Sequence, residues 1–139
     1  MSNPWSTIET WWSDRCSSTC TLGWAAEVQK FLTLASGDIE FGPAAARLIN
    51  VFEAALPADF CHIIAARALD TPEAHLVGRD FVVGDGPTIA DISIYSYTAH
   101  APEGGVSLAP YPNVRRFLAN IEALDGFVPM RVTKVGLSA

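Results

Sequence analysis

Residues 84–97 read GDGPTIADISIYSY, and the signals in this stretch decide how the chain folds. Residues 84–87 are rich in glycine, aspartate and proline, which favour a turn. Thr88 follows at a position typical of a helix N-cap, and Asp91 stands three residues later. This spacing is that of a capping box, in which the hydroxyl accepts from a first-turn N–H and the carboxylate accepts from the N-cap N–H. The stretch therefore predicts a helix that begins just after Thr88.

The helix predicted near residues 88–101 is apolar or small-polar on every face, which is typical of a helix inside a bundle. A buried helix start has backbone N–H groups that water cannot reach, and Thr88 and Asp91 would satisfy two of them. We interpret the pair as a structural capping box. A role for Asp91 as a catalytic acid is the alternative.

Helical periodicity also runs through the first half of the chain. Val28, Phe31 and Ile39 belong to an apolar stripe with the spacing of one helix face. The Gly42-Pro43 pair predicts a bend near residues 41–43, and Pro57 predicts the end of this helical segment.

Two further helices are predicted on either side of the capping box. The first begins near Asp59 and is expected to turn four apolar side chains inward: Phe60, Ile63, Ile64 and Ala68. The second covers 113–124, with one apolar side formed by Val114, Phe117, Leu118, Ile121 and Leu124. No segment has a convincing strand pattern. We therefore predict an all-α bundle of about five helices with a central buried helix near residues 88–101.

The composition excludes several classes of function. The 139 residues carry a formal net charge of −6 without a cluster of Lys and Arg, so nucleic-acid binding is not expected. No apolar run approaches the roughly 18–20 residues of a membrane span, and the N-terminus lacks signal-peptide features. We therefore expect a cytoplasmic protein that does not bind membranes. The three histidines lack ligand spacing, so no metal site is predicted.

The N-terminal residues differ from the rest of the chain. Cys16 and Cys20 have no evident means of lowering a thiol pKa, so a redox pair is not expected. Three tryptophans, Trp5, Trp11 and Trp12, lie close together, and exposed tryptophans favour interfaces. Two interpretations stay open: this arm folds over an apolar face of the bundle, or it is disordered or binds a partner.

Two stretches carry a resemblance to a known family. GDGPTIADISIYSYTAHAPEGG, followed by YPNVRRFLANIEALDGFVPM, resembles the C-terminal helical domain of bacterial glutathione S-transferases. VQKFLTLASGDIEFGPAAARLI resembles the first long helix of that domain, and EAHLVGRDFVVGD the segment that leads into its central helix. The resemblance implies a division into an atypical N-terminal arm at 1–22, the helical domain at 23–131 and a C-terminal tail at 132–139.

The resemblance does not extend to the glutathione side of the family. Its members carry a thioredoxin-like domain ahead of the helical one, with the glutathione site and the residue that activates the thiol. Residues 1–22 have neither a βαβ pattern nor a cis-proline strand signature, so we expect the helical domain only. No catalytic residue is assigned, because no residue that could activate glutathione is found. Glutathione is expected as a cofactor only if the chain acts as a transferase.

The resemblance also implies a hydrophobic-substrate pocket. Its first long helix places a polar residue beside the electrophile, and this position falls near Glu40 and Phe41. Its central helix contributes an aromatic residue, a position that falls on His100, and Tyr97 lies on the same helix. These four residues form the candidate pocket, although ordinary packing or solvent exposure is an alternative for each.

Three functions are compatible with the sequence. Charged residues make up only 17% of the chain, which favours a surface that contacts something else. The first function is a non-catalytic binding or oligomerisation module, whose partner is a second copy, another protein or a hydrophobic small molecule. The second is a glutathione transferase acting on hydrophobic electrophiles, as a minimal form or with a separate thioredoxin-like partner. The third is a truncated gene product with no selected role.

Overall fold

The computed structural model describes residues 19–133, which are α-helical and contain no strand within that range. Helix α1 (Thr19–Leu34) continues through a π-helical segment (Ala35–Ala44) into α2 (Ala45–Phe52). Three more helices follow, with a 3₁₀ turn at Ala101–Gly104: α3 (Ala58–His75), α4 (Ile89–Ala99) and α5 (Pro112–Glu122). The prediction of an all-α bundle of about five helices is confirmed.

Helix α1 begins earlier than the sequence pattern indicates. The apolar stripe starts at Val28 and the predicted helical domain at residue 23, whereas the helix starts at Thr19, inside the segment 1–22 assigned to the arm. Trp5, Trp11, Trp12 and Cys16 lie outside the described residues, as do residues 134–139 of the predicted tail.

The π-helical segment contains the Gly42-Pro43 pair, for which the sequence predicted a bend. Pro43 has no N–H to donate, and in a regular α-helix its ring would crowd the carbonyl four residues earlier. The chain widens instead of stopping, and the Ala45 N–H donates to the Glu40 carbonyl five residues earlier. The helix runs on to Phe52 and ends at Glu53, which has a φ of 55°. The signal read as a bend at 41–43 thus corresponds to a change of helix type.

The inward face of α3 differs from the prediction. Ile64 and Ala68 are buried as expected, but Phe60 and Ile63 are 60% and 69% exposed. The buried stripe is instead Cys61, Ile64, Ala65, Ala68, Leu69 and Pro72.

Close packing against Gly42 explains this choice of face. A Cβ at Gly42 would lie 2.6 Å from the Ala65 nitrogen, so the π-helical segment and α3 meet backbone to backbone. Only small side chains fit such an approach, and the bulky Phe60 and Ile63 are turned away from it.

The start of α4 is tied to the preceding loop by the Asp91 carboxylate, which is fully buried. It accepts hydrogen bonds from the Thr88 N–H at 2.7 Å and the Thr88 hydroxyl at 2.8 Å. The Thr88 hydroxyl oxygen in turn accepts from the Ala90 N–H at 3.2 Å, which gives the geometry of a capping box. A third bond, from the Val82 N–H at 2.7 Å, has no counterpart in that motif.

Val82 shows how a buried loop is held without a strand. Its side chain is fully buried, its N–H donates to Asp91, and its carbonyl accepts from His75 Nε2 at 2.7 Å. The His75 ring also packs edge-on against Phe31, with ring centroids 4.7 Å apart. Side chains thus satisfy both backbone groups of Val82.

Helix α4 has one buried and one exposed face. The buried face carries Asp91, Ile94 and Tyr95. Ile94 and Tyr95 belong to the main core, whose other large, fully buried members are Phe31, Ile39, Leu69, Leu76, Val82, Val83, Val114, Phe117 and Ile121. Four of the five residues predicted for the apolar side of α5 are buried, and Leu124 packs against them. The opposite face of α4 exposes Ile89, Ile92 and Tyr97 by 66%, 41% and 42%. The helix is therefore central but not enclosed on all sides.

Candidate functional site

The exposed face of α4 forms one wall of a groove, and α1, the π-helical segment and α2 form the other. The groove has a volume of about 450 Å³, within the range of small-molecule sites. We call it the α1–α4 groove, and its lining residues are Leu32, Ala35, Ser36, Glu40, Ala44, Arg47, Leu48, Ser93, Ser96 and Tyr97.

A second, more apolar depression adjoins the groove. It has a volume of about 310 Å³, shares Glu40 and Leu48 with the groove, and lies above the buried Cys61. We call it the apolar patch, and its other lining residues are Phe41, Ala45, Leu56, Pro57 and Phe60. Because two residues belong to both, the groove and the patch form one continuous surface.

The structure brings together some of the predicted pocket residues and separates others. Glu40 and Tyr97 line the α1–α4 groove from opposite walls. Phe41, 62% exposed, lies in the apolar patch. His100 lines neither depression; it is 4% exposed, and its Nδ1 lies 2.5 Å from Glu103. Helix α4 ends at Ala99, and the 3₁₀ turn then places His100 within the fold.

His100 belongs to a buried polar cluster that the sequence did not reveal. Its centre is Glu103, which accepts from Arg47 Nε at 2.7 Å and from the Thr133 N–H at 3.1 Å. Arg47 Nη2 also donates to the Thr133 hydroxyl at 2.7 Å. The cluster joins α2, the 3₁₀ turn and the C-terminal segment. No local motif predicts it, since Arg47 and Glu103 are 56 residues apart.

Close backbone packing brings the members of this cluster together. A Cβ at Gly104 would lie 2.6 Å from the Arg47 nitrogen, so only glycine allows the 3₁₀ turn to approach α2 this closely. Asn50 Nδ2 donates to the Glu103 carbonyl at 3.3 Å, and His62 Nε2 lies 3.0 Å from the Gly104 carbonyl.

Opposing effects act on the Glu103 carboxyl. Burial alone would raise its pKa, but hydrogen bonds from His100, Thr133 and Arg47, with the charge of Arg47, outweigh burial. The pKa of Glu103 is therefore held below its usual value, and Glu103 balances the charge of Arg47 at the edge of the groove.

The part of the chain that the structure describes contains neither a metal-binding cluster nor a membrane-spanning helix. Between Thr19 and Thr133, no three His, Cys, Asp or Glu side chains converge on a point where they could hold a metal ion. No helix within the same range is long and apolar enough to cross a membrane.

Comparisons with known proteins agree with this fold. The family model described as the glutathione S-transferase C-terminal domain matches residues 64–125. A glutathione S-transferase from Xanthobacter autotrophicus is 31% identical with a TM-score of 0.69, covering 75% of this chain and 53% of that protein. One from Pseudomonas fluorescens is 30% identical with a TM-score of 0.70, covering 75% and 54%. Comparison with curated proteins gives no significant match.

A third solved structure, a possible glutathione S-transferase from Rhodopseudomonas palustris, is 25% identical with a TM-score of 0.69 and covers 78% of this chain. The chain spans about half the length of each of the three solved proteins. Residues 64–125 thus belong to the C-terminal domain of the glutathione S-transferase family, and the described bundle around them has that family's fold.

Proposed function

We propose that this helical domain is a non-catalytic binding module whose α1–α4 groove takes a hydrophobic small molecule. The observation that carries the proposal is the continuous exposed surface formed by the groove and the apolar patch. Leu48, 43% exposed, lies where the two meet, and Tyr97 closes the far wall. Apolar surface of this kind usually marks a site of interaction.

The same surface supports self-association as part of this function. Phe41 and Phe60 are 62% and 60% exposed in the apolar patch, and burying aromatic side chains contributes strongly to protein interfaces. We propose a homodimer joined through Phe41 and Phe60 of the patch, with the α1–α4 groove left open, working in the cytoplasm.

The test uses a neutral hydrophobic dye and light scattering. Wild-type protein is expected to bind the dye and to elute as a dimer. Leu48→Asp should weaken dye binding about tenfold, because it places a charge in the apolar junction. Val128→Asp is the matched control, since Val128 is 84% exposed and lines neither depression. A monomer without dye binding, or equal effects of the two substitutions, would contradict the proposal.

The alternative function is a glutathione transferase that acts on hydrophobic electrophiles. The solved structures that this chain resembles are described as glutathione S-transferases, and the chain spans about half of their length. In this alternative, the groove holds the electrophile, and glutathione is activated by a thioredoxin-like partner.

Calorimetry with millimolar glutathione and a conjugation assay with an aryl halide separate the two functions. The binding-module proposal predicts no heat of binding and no conjugation by the purified chain. Glutathione binding with turnover, alone or after adding a thioredoxin-like domain, would favour the transferase instead.

A further inference from the structure

We propose that the α1–α4 groove selects apolar ligands with a positively charged ammonium head over equally apolar ligands with a neutral or acidic head. This inference rests on the proposed function, because it assigns the ligand class of the same groove. It follows from how the polar side chains of the groove use their hydrogen bonds.

The three groove serines face a ligand as hydrogen-bond acceptors. Ser36 donates its proton to the Leu32 carbonyl at 3.1 Å, and Ser93 donates to the Ile89 carbonyl at 2.8 Å. Ser96 donates to the Ile92 carbonyl at 3.4 Å. A hydroxyl has one proton and two lone pairs, so each serine retains acceptor capacity after this bond. The walls of the groove therefore suit a ligand that donates hydrogen bonds.

The two charged residues of the groove are not equivalent. The Arg47 side chain is only 11% exposed, and its nitrogens Nε and Nη2 are bonded to Glu103 and Thr133. Glu40 is exposed and has no hydrogen-bond or ion-pair partner among residues 19–133. Because Glu103 balances Arg47, the charge that remains accessible to a ligand is the negative charge of Glu40. This favours a cationic head and disfavours a carboxylate.

The remaining walls hold the apolar part of such a ligand. Leu32, Ala35, Ala44 and Leu48 offer aliphatic surface opposite α4. Tyr97, 42% exposed, adds an aromatic ring in the same groove, and aromatic faces attract ammonium groups. Glu40 and Tyr97 line opposite walls, so an ammonium between them would meet a carboxylate and an aromatic ring.

Three probes of equal chain length test the selection: octylammonium, octanol and octanoate, titrated by calorimetry at pH 7 in low salt and below micelle-forming concentrations. We expect octylammonium to bind about tenfold more tightly than octanol, with octanoate weakest. Equal binding of all three, or tighter binding of octanoate, overturns the charge selection but leaves the proposed hydrophobic site standing. No binding of any probe overturns both.

Two matched variants on one continuous helix test whether Glu40 causes the preference for an ammonium head. Glu40→Gln should reduce the preference for octylammonium over octanol to about threefold or less. Glu27→Gln is the control, because Glu27 lies on α1 but does not line the groove. Raising the salt concentration should narrow the preference in the wild type and have less effect in Glu40→Gln. If Glu40→Gln keeps the full preference, or if Glu27→Gln loses it equally, the inference is wrong.

Discussion

Two buried carboxylates, Asp91 and Glu103, stabilise this bundle in different ways. Asp91 accepts from donors on Val82 and Thr88, which lie nine and three residues before it. Glu103 accepts from His100 nearby, but also from Arg47 and Thr133, which lie 56 and 30 residues away. Asp91 holds a loop against the helix that follows it, whereas Glu103 joins three distant parts of the chain.

The difference between the two sites is also one of charge. The donors to Asp91 are neutral: two backbone N–H groups and a hydroxyl. Glu103 faces the guanidinium of Arg47, so its site contains opposite charges that are largely removed from water. Such a pair gains from charge-assisted hydrogen bonds, and removing one partner leaves the other charge buried and unbalanced. The stability of the bundle should therefore be more sensitive to truncation of the Glu103 side chain than to truncation of Asp91.

The largest expected effect is that of Glu103→Ala. We expect it to lower the free energy of unfolding by about 4 kcal/mol, because Arg47 would be left buried without its carboxylate. Urea titration measures the change. The double variant R47M/E103L should lose less stability than the sum of R47M and E103L, since it removes both charges together. Additive losses would mean that the ion pair does not couple α2 to the 3₁₀ turn.

Asp91→Ala should lower the free energy of unfolding by about 3 kcal/mol, somewhat less than Glu103→Ala. The substitution leaves the N–H groups of Val82 and Thr88 without acceptors, one of them at a helix start. Thr88→Ala, which removes only the hydroxyl, should lose about 1 kcal/mol in the same titration. If Asp91→Ala lowers the free energy of unfolding more than Glu103→Ala, the expected ranking of the two carboxylates is wrong.

Acid should weaken the buried polar cluster by protonating Glu103. Because its pKa is lowered in the folded state, the unfolded chain binds more protons at this site between the folded pKa and the ordinary value of 4.5. The stability from this group is present above pH 4.5 and is lost as the pH falls through the folded pKa. The free energy of unfolding, measured from pH 6 to pH 3, should change less steeply with pH in Glu103→Gln than in the wild type. The difference between the two slopes should be at most roughly 1.4 kcal/mol per pH unit. An unchanged slope would contradict the assignment.

The smallest effect is expected at a third carboxylate, Glu122, which is exposed. It accepts one hydrogen bond from the Tyr95 hydroxyl at 2.8 Å. Burial, the bond and the charge of Glu122 raise the pKa of Tyr95 to about 12. Tyr95→Phe should therefore lower stability by about 1 kcal/mol near neutral pH. It should also remove the contribution of the Tyr95 hydroxyl to the loss of stability that begins as the pH rises above 10. A spectrophotometric titration of the tyrosines, compared with Tyr97→Phe, checks the assignment.

The predictions from sequence succeeded where neighbouring residues decide the outcome. Thr88 and Asp91 are three residues apart, so their spacing alone predicted where α4 begins. The stripe on α5 has the i, i+3, i+4 and i+7 spacing of one helix face, and its main members are buried. The inward face of α3 was assigned wrongly because two stripes were available, and close packing against Gly42 selected the one with small side chains.

The candidate site was predictable only in part, for the same reason. Glu40 and Tyr97 came from a family resemblance, and they line one groove in the structure. His100 came from the same resemblance, but the turn after Ala99 places it beside Glu103. Arg47 was missed, because nothing near it in the sequence indicates a partner 56 residues away.

The sequence by itself determined the helical class, the capped start of α4 and the family of the domain, since each depends on residue types at short, fixed spacings. Only the tertiary structure decided which face of α3 is buried and which polar side chains meet around Glu103. It also decided which charge stays exposed in the α1–α4 groove. These outcomes depend on how closely two backbones approach at Gly42 and Gly104, and that distance is set by the whole bundle rather than by any one segment.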